Sequence, residues 1–295
     1  MSKQFSIDAL WFSLKGKTKK YATHTNIQMQ KMSFGNIRLL DTKEGKQTIL
    51  IIPDGPNIIE HYFPLLDKLK KSFRVIIFDL PGFGFSTHNG NYDYSFQKTN
   101  QLILELLEVL QLPKVNLVFP CAGGFYGLSF TQAFPEKVNH LFLIQTPSLG
   151  EMKKWMKRIV PNYLKKPYFG QLVMPFVENK FANNWYDYAL PKDKDRTAYK
   201  SVALQGIKNS GTFCLCSLTQ GLSTEMETDL RIDSTIPMTL VYGTKDFTHK
   251  NTNFESILQY HAKADLIAFE KCGHFPDLEQ SDKFIRLLKE KIGIF

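Results

Sequence analysis

Short apolar runs alternate with helix-length amphipathic stretches along this chain, and this alternation limits the folds that it can adopt. The apolar runs are Thr48–Ile52, Arg74–Phe78, Val115–Phe119, Val138–Ile144, Met238–Tyr242 and Leu266–Phe269. Apolar side chains recur at helical spacing within Ile59–Lys70, Phe96–Leu110 and Asp282–Ile292. Continuously apolar strands separated by helices are typical of a parallel sheet covered on both faces. The pattern predicts an α/β fold with a mostly parallel central sheet flanked by helices, and Thr25–Met32 with Asn36–Asp41 predicts an antiparallel hairpin at its edge.

The alternation is interrupted between about residues 148 and 236. This segment is rich in aromatic side chains, is divided by four prolines and contains no clear strand run. It is also basic, with twelve Lys and Arg against five Asp and Glu over residues 148–208, in a chain whose formal net charge is +9. We predict that residues 1–147 and 237–295 form one core domain and that residues 148–236 are a helical lid inserted in it.

One junction between a predicted strand and a predicted helix carries a candidate nucleophile. The run Val115–Phe119 leads into Pro120-Cys121-Ala122-Gly123-Gly124, and a helix-like stretch follows. A nucleophile on such a sharp turn commonly has the signature G-x-S-x-G. Here a thiol takes the place of the serine, and Phe119 takes the place of the first glycine. The pattern predicts Cys121 as the nucleophile, and the structural alternative is a small buried core residue.

Two further loops supply a candidate base and a candidate acid. Asp246 follows Met238–Tyr242, and His274 lies between Leu266–Phe269 and the last predicted helix. A hydrolytic triad needs a nucleophile, a histidine that takes its proton and an acid that orients the histidine. Cys121, Asp246 and His274 occur in the chain order nucleophile, acid, histidine, each after a predicted strand. We therefore predict these three as catalytic residues, although a turn aspartate and a hydrogen-bonded loop histidine are the simpler alternatives.

Five stretches resemble the α/β-hydrolase superfamily, and the resemblance covers nearly the whole chain. The stretches are Ile51-Ile52-Pro53-Asp54-Gly55-Pro56, Phe78-Asp79-Leu80-Pro81-Gly82-Phe83-Gly84-Phe85-Ser86, the turn at Cys121, Tyr242-Gly243-Thr244-Lys245-Asp246 and Gly273-His274-Phe275-Pro276. The chain is similar to the lidded branch of esterases, epoxide hydrolases and haloalkane dehalogenases. The last two groups carry an aspartate at the turn, whereas dienelactone hydrolase carries a cysteine there. The resemblance implies a lid over the carboxyl ends of the strands, where open α/β sheets bind ligands.

The oxyanion hole implied by this resemblance departs from the usual pattern. One N–H normally comes from the residue after the nucleophile, here Ala122, and a second comes from the loop after an early strand. That loop contains Gly55 and Pro56, and a proline has no N–H to donate. We expect Gly55, Pro56 and Asn57 to line this side of the site, with an amide of Asn57 as the substitute donor. Phe119 is a second departure, because this strained turn favours small residues.

These features predict a hydrolase of a small apolar carboxylic ester, thioester or lactone that forms an acyl-enzyme on Cys121. Two alternatives stay open: acyl transfer by the same triad, and a hydrolase fold retained for binding or sensing with little turnover. No cofactor is expected, and no metal ion, since His88, His249 and His261 show no metal-ligand spacing.

The expected partner is a small molecule. No nucleic-acid-binding motif accompanies the basic surface, although contact with anionic lipid at a membrane surface stays open. We find no apolar run of about 18 residues, no secretory signal and no paired cysteine spacing. These observations favour a protein of the reducing cytoplasm. The oligomeric state is not indicated.

Overall fold

Ten strands are present in the computed structural model, which describes residues 4–15, 26–233 and 235–294. They are β1 (Ile27–Met32), β2 (Gly35–Asp41), β3 (Thr48–Ile51), β4 (Arg74–Phe78), β5 (Phe83–Gly84), β6 (Val115–Pro120), β7 (Val138–Ile144), β8 (Thr212–Phe213), β9 (Met238–Gly243) and β10 (Asp265–Phe269). Eight of them form one sheet in the order β1-β2-β4-β3-β6-β7-β9-β10. The six strands from β4 to β10 in this order pair in parallel, and β1 and β2 pair antiparallel at one edge.

This sheet confirms the predicted α/β fold. All six predicted parallel strands are present, and each observed end lies within one residue of its predicted position. Their continuous apolar character has a simple cause, since all of these strands except the partly exposed edge strand β10 are buried on both faces. The predicted hairpin at the edge also forms from β1 and β2. Thr25, which was assigned to it, lies outside the described residues.

Helices cover both faces of the sheet. They are α1 (Phe5–Lys15), α2 (Phe63–Leu69), α3 (Phe96–Val109), α4 (Gly123–Ala133), α5 (Leu149–Ile159), α6 (Phe169–Ala189), α7 (Thr197–Lys208), α8 (Leu215–Thr224), α9 (Pro276–Glu279) and α10 (Ser281–Ile292). Leu117 of β6 belongs to a core cluster with Leu106 of α3. Its neighbour Val118 belongs to a second cluster with Leu65 of α2 and Leu288 of α10. Successive side chains of β6 therefore pack against different helical layers, as the pleat of a strand requires.

The segment between β7 and β9 contains α5, α6, α7 and α8. It also contains β8, which pairs antiparallel with β5 and was absent from the prediction. A strand of two residues is too short to show an alternating pattern, so only the tertiary structure reveals it. No helix in the described part of the chain is both long and apolar enough to cross a membrane.

Candidate active site

Cys121 lies on a sharp turn between β6 and α4. Its φ angle is +46°, in the left-handed region that non-glycine residues rarely occupy. One contact with the end of β7 and one with the loop after it hold the turn. The Cys121 N–H donates to the Ile144 carbonyl at 2.6 Å, and Thr146 Oγ1 donates to the Cys121 carbonyl at 3.0 Å. The Gly124 N–H donates to the same carbonyl at 3.1 Å. The backbone is thus kept in a strained conformation that presents the side chain at the end of the strand.

Glycines bring α4 unusually close to the sheet. A Cβ at Gly123 would lie 2.4 Å from Ile52 Cδ1, and a Cβ at Gly124 would lie 2.2 Å from Thr146 Oγ1. A third glycine, Gly127, lies next to the side chain of Phe119, the bulky residue before the turn. The Phe119 ring is fully buried, and a Cβ at Gly127 would lie 3.2 Å from Phe119 Cδ2 and 2.9 Å from Leu141 Cδ1. The absence of a side chain at position 127 therefore makes room for Phe119.

We expect Gly127→Val to destabilise the protein by about 1–3 kcal/mol through overpacking, and Phe119→Ala by about 3–5 kcal/mol through a cavity. Because the valine would fill space that Phe119 vacates, the double variant should lose less than the sum of the two, by about 0.5–3 kcal/mol. Denaturant unfolding measures all three losses. Gln132→Val, at an exposed position of α4, is the matched control for helix propensity. Additive losses at positions 119 and 127 would contradict this packing.

Asp246 is held by four hydrogen bonds in the loop after β9. Its Oδ2 accepts from His274 Nδ1 at 2.5 Å and from Gln145 Nε2 at 2.7 Å. Its Oδ1 accepts from the Thr248 N–H at 2.8 Å and from Thr248 Oγ1 at 2.7 Å. Burial favours the neutral acid, but the His274 charge and these hydrogen bonds outweigh it, and the pKa of Asp246 lies below its ordinary value. Asp246 is therefore a carboxylate that fixes the orientation of His274.

His274 is fully buried and lies between two carboxylates. Its Nε2 is 2.8 Å from Asp54 Oδ2, an ion-pair contact without the alignment of a hydrogen bond. Burial would lower the pKa of His274, but Asp246, Asp54 and Cys121 together raise it well above its ordinary value. The two carboxylates therefore favour the protonated form of the imidazole. The prediction had placed the loop containing Asp54 at the oxyanion hole, but had given its carboxylate no part in the site.

The Cys121 thiol lies beside His274 and is protonated in the resting site. Burial and then the Asp54 charge raise its pKa to about 11, while His274 and the N–H of Ala122 act in the opposite direction. Reactive cysteines usually have a lowered pKa, because the thiolate is the nucleophile. The Cys121 thiol and the His274 ring are thus neighbours, as the sequence predicts, whereas Asp54 favours the uncharged thiol.

His249 is a third ring at this site, and the sequence prediction did not include it. One ligand-type atom from each of Cys121, His249 and His274 lies within 4.8 Å of the other two. The two imidazole rings stack with centroids 5.3 Å apart, and Trp155 also stacks on His249, at 5.0 Å. The one available signal was that His249 follows Asp246 by three residues in the same loop.

The residues predicted for the oxyanion hole surround the turn at Cys121 in different ways. Ala122 directs its N–H towards the Cys121 sulfur, and Ala122 and Gly55 line the same cavity as Cys121. The Asn57 N–H is engaged, because it donates to the Asp54 carbonyl at 2.9 Å. The side chain of Asn57 accepts from Tyr186 through Oδ1, while its buried Nδ2 has no hydrogen-bond partner. The peptide bond before Pro56 is cis.

An apolar cavity of about 70 Å³ opens above Cys121. Its walls are mainly methionine, tryptophan, phenylalanine and leucine side chains of α5, α6, α8 and β8. A second cavity of about 470 Å³ lies farther out, and Ile159, Phe181 and Trp185 border both. The polar groups Arg158, Lys180 and Asn184 line only the outer one. The site is therefore narrow and apolar at Cys121 and wider and basic outside.

Comparison with known proteins assigns this architecture to a family. The family model described as alpha/beta hydrolase fold matches residues 47–280. A 2-hydroxy-6-oxo-2,4-heptadienoate hydrolase from Pseudomonas putida is 24% identical over 284 residues, which cover 91% of this chain and 98% of that protein. A pimeloyl-[acyl-carrier protein] methyl ester esterase from Aeromonas hydrophila is 22% identical over 78% of this chain and 89% of its own length.

Solved structures share the fold. An esterase from Exiguobacterium antarcticum superposes with a TM-score of 0.70 at 16% identity, over 92% of this chain and all of that chain. The matched stretch of the family model contains Cys121, Asp246 and His274. The related proteins named above are hydrolases and esterases.

Proposed function

This chain is a hydrolase of the α/β-hydrolase fold family, and we propose that it cleaves small apolar carboxylic esters, thioesters or lactones through Cys121, His274 and Asp246. One observation carries the proposal: a chain of contacts runs from Asp246 through His274 to a thiol at the floor of an apolar cavity. The names of two relatives, one acting on a small oxo acid and one on a methyl ester, support a carbonyl substrate.

The proposed reaction has two steps. Neutral His274 takes the Cys121 proton, and the sulfur attacks the substrate carbonyl carbon to give a tetrahedral intermediate. The intermediate expels the alcohol or thiol, which receives the proton from His274, and a thioester remains on Cys121. In the second step His274 takes a proton from water, the resulting hydroxide attacks the thioester, and the acid leaves as the Cys121 thiol is restored. Asp246 keeps the His274 ring in one orientation throughout.

The cavity supports a short apolar acyl group. A volume of about 70 Å³ leaves room for only a few carbon atoms beside Cys121. Most of its lining belongs to residues 148–236, and we propose that this segment is a lid over the site. The Ala122 N–H, which is directed at the sulfur, supports a role for Ala122 as an oxyanion donor. Gly55, which lines the same cavity, is our candidate for the second donor.

Asp54 favours a second candidate function. Its carboxylate favours the protonated form of His274 and disfavours the Cys121 thiolate, and both effects slow the proposed first step. A hydrolase fold with such a site suits the binding of a small apolar molecule with little turnover. Acyl transfer would use the same residues with an acceptor other than water.

Turnover and alkylation together separate these functions. We expect hydrolysis of nitrophenyl acetate and propionate, and we expect iodoacetamide to abolish it by modifying Cys121, as peptide mapping will show. Because the pKa of Cys121 is about 11, alkylation in the free protein should speed up by about tenfold per pH unit through the neutral range. A short-chain acid that fills the cavity should protect. Measurable binding of that acid without any ester turnover would favour the binding protein and overturn the hydrolase.

A further inference from the structure

We propose that Cys121, His249 and His274 form a binding site for a borderline-soft divalent cation such as Zn²⁺. The three side chains come from the turn after β6, the loop after β9 and the loop after β10. Their ligand-type atoms lie within 4.8 Å of one another, and all three residues are buried. Tetrahedral zinc, with Zn–N and Zn–S bonds of about 2.0–2.3 Å, needs ligand atoms separated by about 3.3–3.7 Å. Side-chain shifts of about 1 Å bring the three atoms to that spacing.

His274 already has the support that zinc-bound histidines have. Its Nδ1 is hydrogen-bonded to the Asp246 carboxylate at 2.5 Å, so that Nε2 is the ring atom that faces Cys121 and Asp54. A histidine that ligates a metal through one nitrogen and bonds a carboxylate through the other is a recurrent arrangement, because the carboxylate fixes the ring and makes it a better donor. The contact required for a hydrolytic triad therefore also suits a metal ligand.

In His249, as in His274, one ring nitrogen is hydrogen-bonded and the other is not. Its Nδ1 lies 3.0 Å from Thr252 Oγ1, and its Nε2 is buried without a hydrogen-bond partner. His249 is only 3% exposed, and its ring stacks on both Trp155 and His274. A buried ring nitrogen without a partner is unfavourable unless something binds it. The triad proposed above gives His249 no task, whereas a cation at Cys121 would be bound by its free nitrogen.

The nearby charges are compatible with a dication. Asp54 Oδ2 is buried without a hydrogen bond and faces His274, so this carboxylate is available as a fourth ligand. Apart from His274 itself, Arg158 is the cation that acts on His249, and Arg158 is exposed at the rim. A thiolate with two imidazoles favours zinc over magnesium or calcium, which prefer oxygen ligands.

The inference rests in part on the proposed function, since the cation would occupy the nucleophile and the base together. Zinc would then be a reversible inhibitor of ester hydrolysis. Binding itself does not depend on turnover, so the two proposals can be tested apart.

The test titrates the reduced, chelator-treated full chain with Cd²⁺ and follows the ultraviolet charge-transfer band of the Cd²⁺–thiolate bond. We expect one equivalent to bind, Zn²⁺ to compete for it and Zn²⁺ to raise the thermal unfolding midpoint. Cys121→Ser should lose the band. His249→Phe, which keeps the stacked ring and removes the nitrogens, should weaken binding by about tenfold or more.

Two controls address other thiols and other buried rings. Cys216→Ala removes a buried thiol elsewhere, and His140→Phe replaces a buried ring that stacks on Phe142 at 4.0 Å; neither should alter the titration. A band that persists in Cys121→Ser, or an affinity unchanged in folded His249→Phe, would overturn the site. A band with the expected variant pattern in a protein that hydrolyses no ester would uphold the metal site and reject the hydrolase.

Discussion

Replacing Cys121 by alanine is expected to lower kcat for nitrophenyl esters by about 10⁴- to 10⁶-fold, to near the uncatalysed rate. The effect is large because no acyl-enzyme can form without the sulfur, and His274 then has no proton to take from the protein. Alanine also suits the close packing at this turn, where the surrounding glycines leave little room for a larger side chain. Initial rates at saturating ester, with the far-ultraviolet spectrum as a check on folding, provide the measurement.

Cys272→Ala is the matched control for this result. Cys272 is also buried and precedes His274 by two residues, but it packs in the core cluster on the other face of the sheet. We expect it to retain activity within a few fold of the unmodified protein. Equal rates for Cys121→Ala and the unmodified protein would show that the thiol is not the nucleophile.

Replacing Asp54 by asparagine is expected to raise kcat/KM at neutral pH by about tenfold or more. His274 can act as a base only when it is neutral, and its pKa is raised, so activity is present above that pKa and is lost as the pH falls through it. Removing one adjacent carboxylate lowers such a pKa by about one to three units. The acid limb of the pH profile should therefore move to lower pH by at least about one unit. The same change lowers the pKa of Cys121, because the Asp54 charge contributes to raising it.

The pH dependence of kcat/KM for Asp54→Asn and for Asp277→Asn provides the measurement. Asp277 is a suitable control because it is a buried acid whose pKa is raised to about 7, by burial and then by Asp54, yet it does not line the cavity at Cys121. Only Asp54→Asn should shift the acid limb. A loss of activity in Asp54→Asn would assign the carboxylate a part in the chemistry and would contradict its role as an inhibitory neighbour.

The loops that form the site could be predicted from the sequence, because their positions follow from the order of the strands. Cys121, Asp246 and His274 each follow a parallel strand, and the carboxyl ends of parallel strands meet at one edge of a sheet. Strand ends were predicted to within a residue because each buried strand is a continuous apolar run. The same reasoning identified Phe119 as unusual, but the space that Gly127 leaves for it depends on how α4 packs, which no local pattern records.

The charge balance of the site could not be predicted in this way. Whether Asp54 faces solvent or His274 depends on the path of a loop, and the sequence contains no period or spacing from which that path follows. His249 was set aside in the sequence for a related reason. Metal ligands are found in sequences by short spacing, whereas His249 meets Cys121 and His274 only because three loops converge. Side-chain direction in loops is thus the part of this site that required the structure.

The pairing of β5 with β8 attaches one part of the segment between β7 and β9 to the loop after β4. Besides the strand contacts, the Cys214 N–H donates to the Gly82 carbonyl at 3.1 Å, and Thr212 Oγ1 donates to the same carbonyl at 3.0 Å. Phe83 and Phe213, which line the cavity, are paired in these two strands, and their ring centroids lie 5.8 Å apart. If the inner cavity opens, we therefore expect it to open at Phe181 and Trp185, which border both the inner cavity and the outer one. Substrates would then enter through the basic outer cavity. The positive charge of that cavity would attract some esters more than others, and the apolar inner cavity would then select among those that arrive.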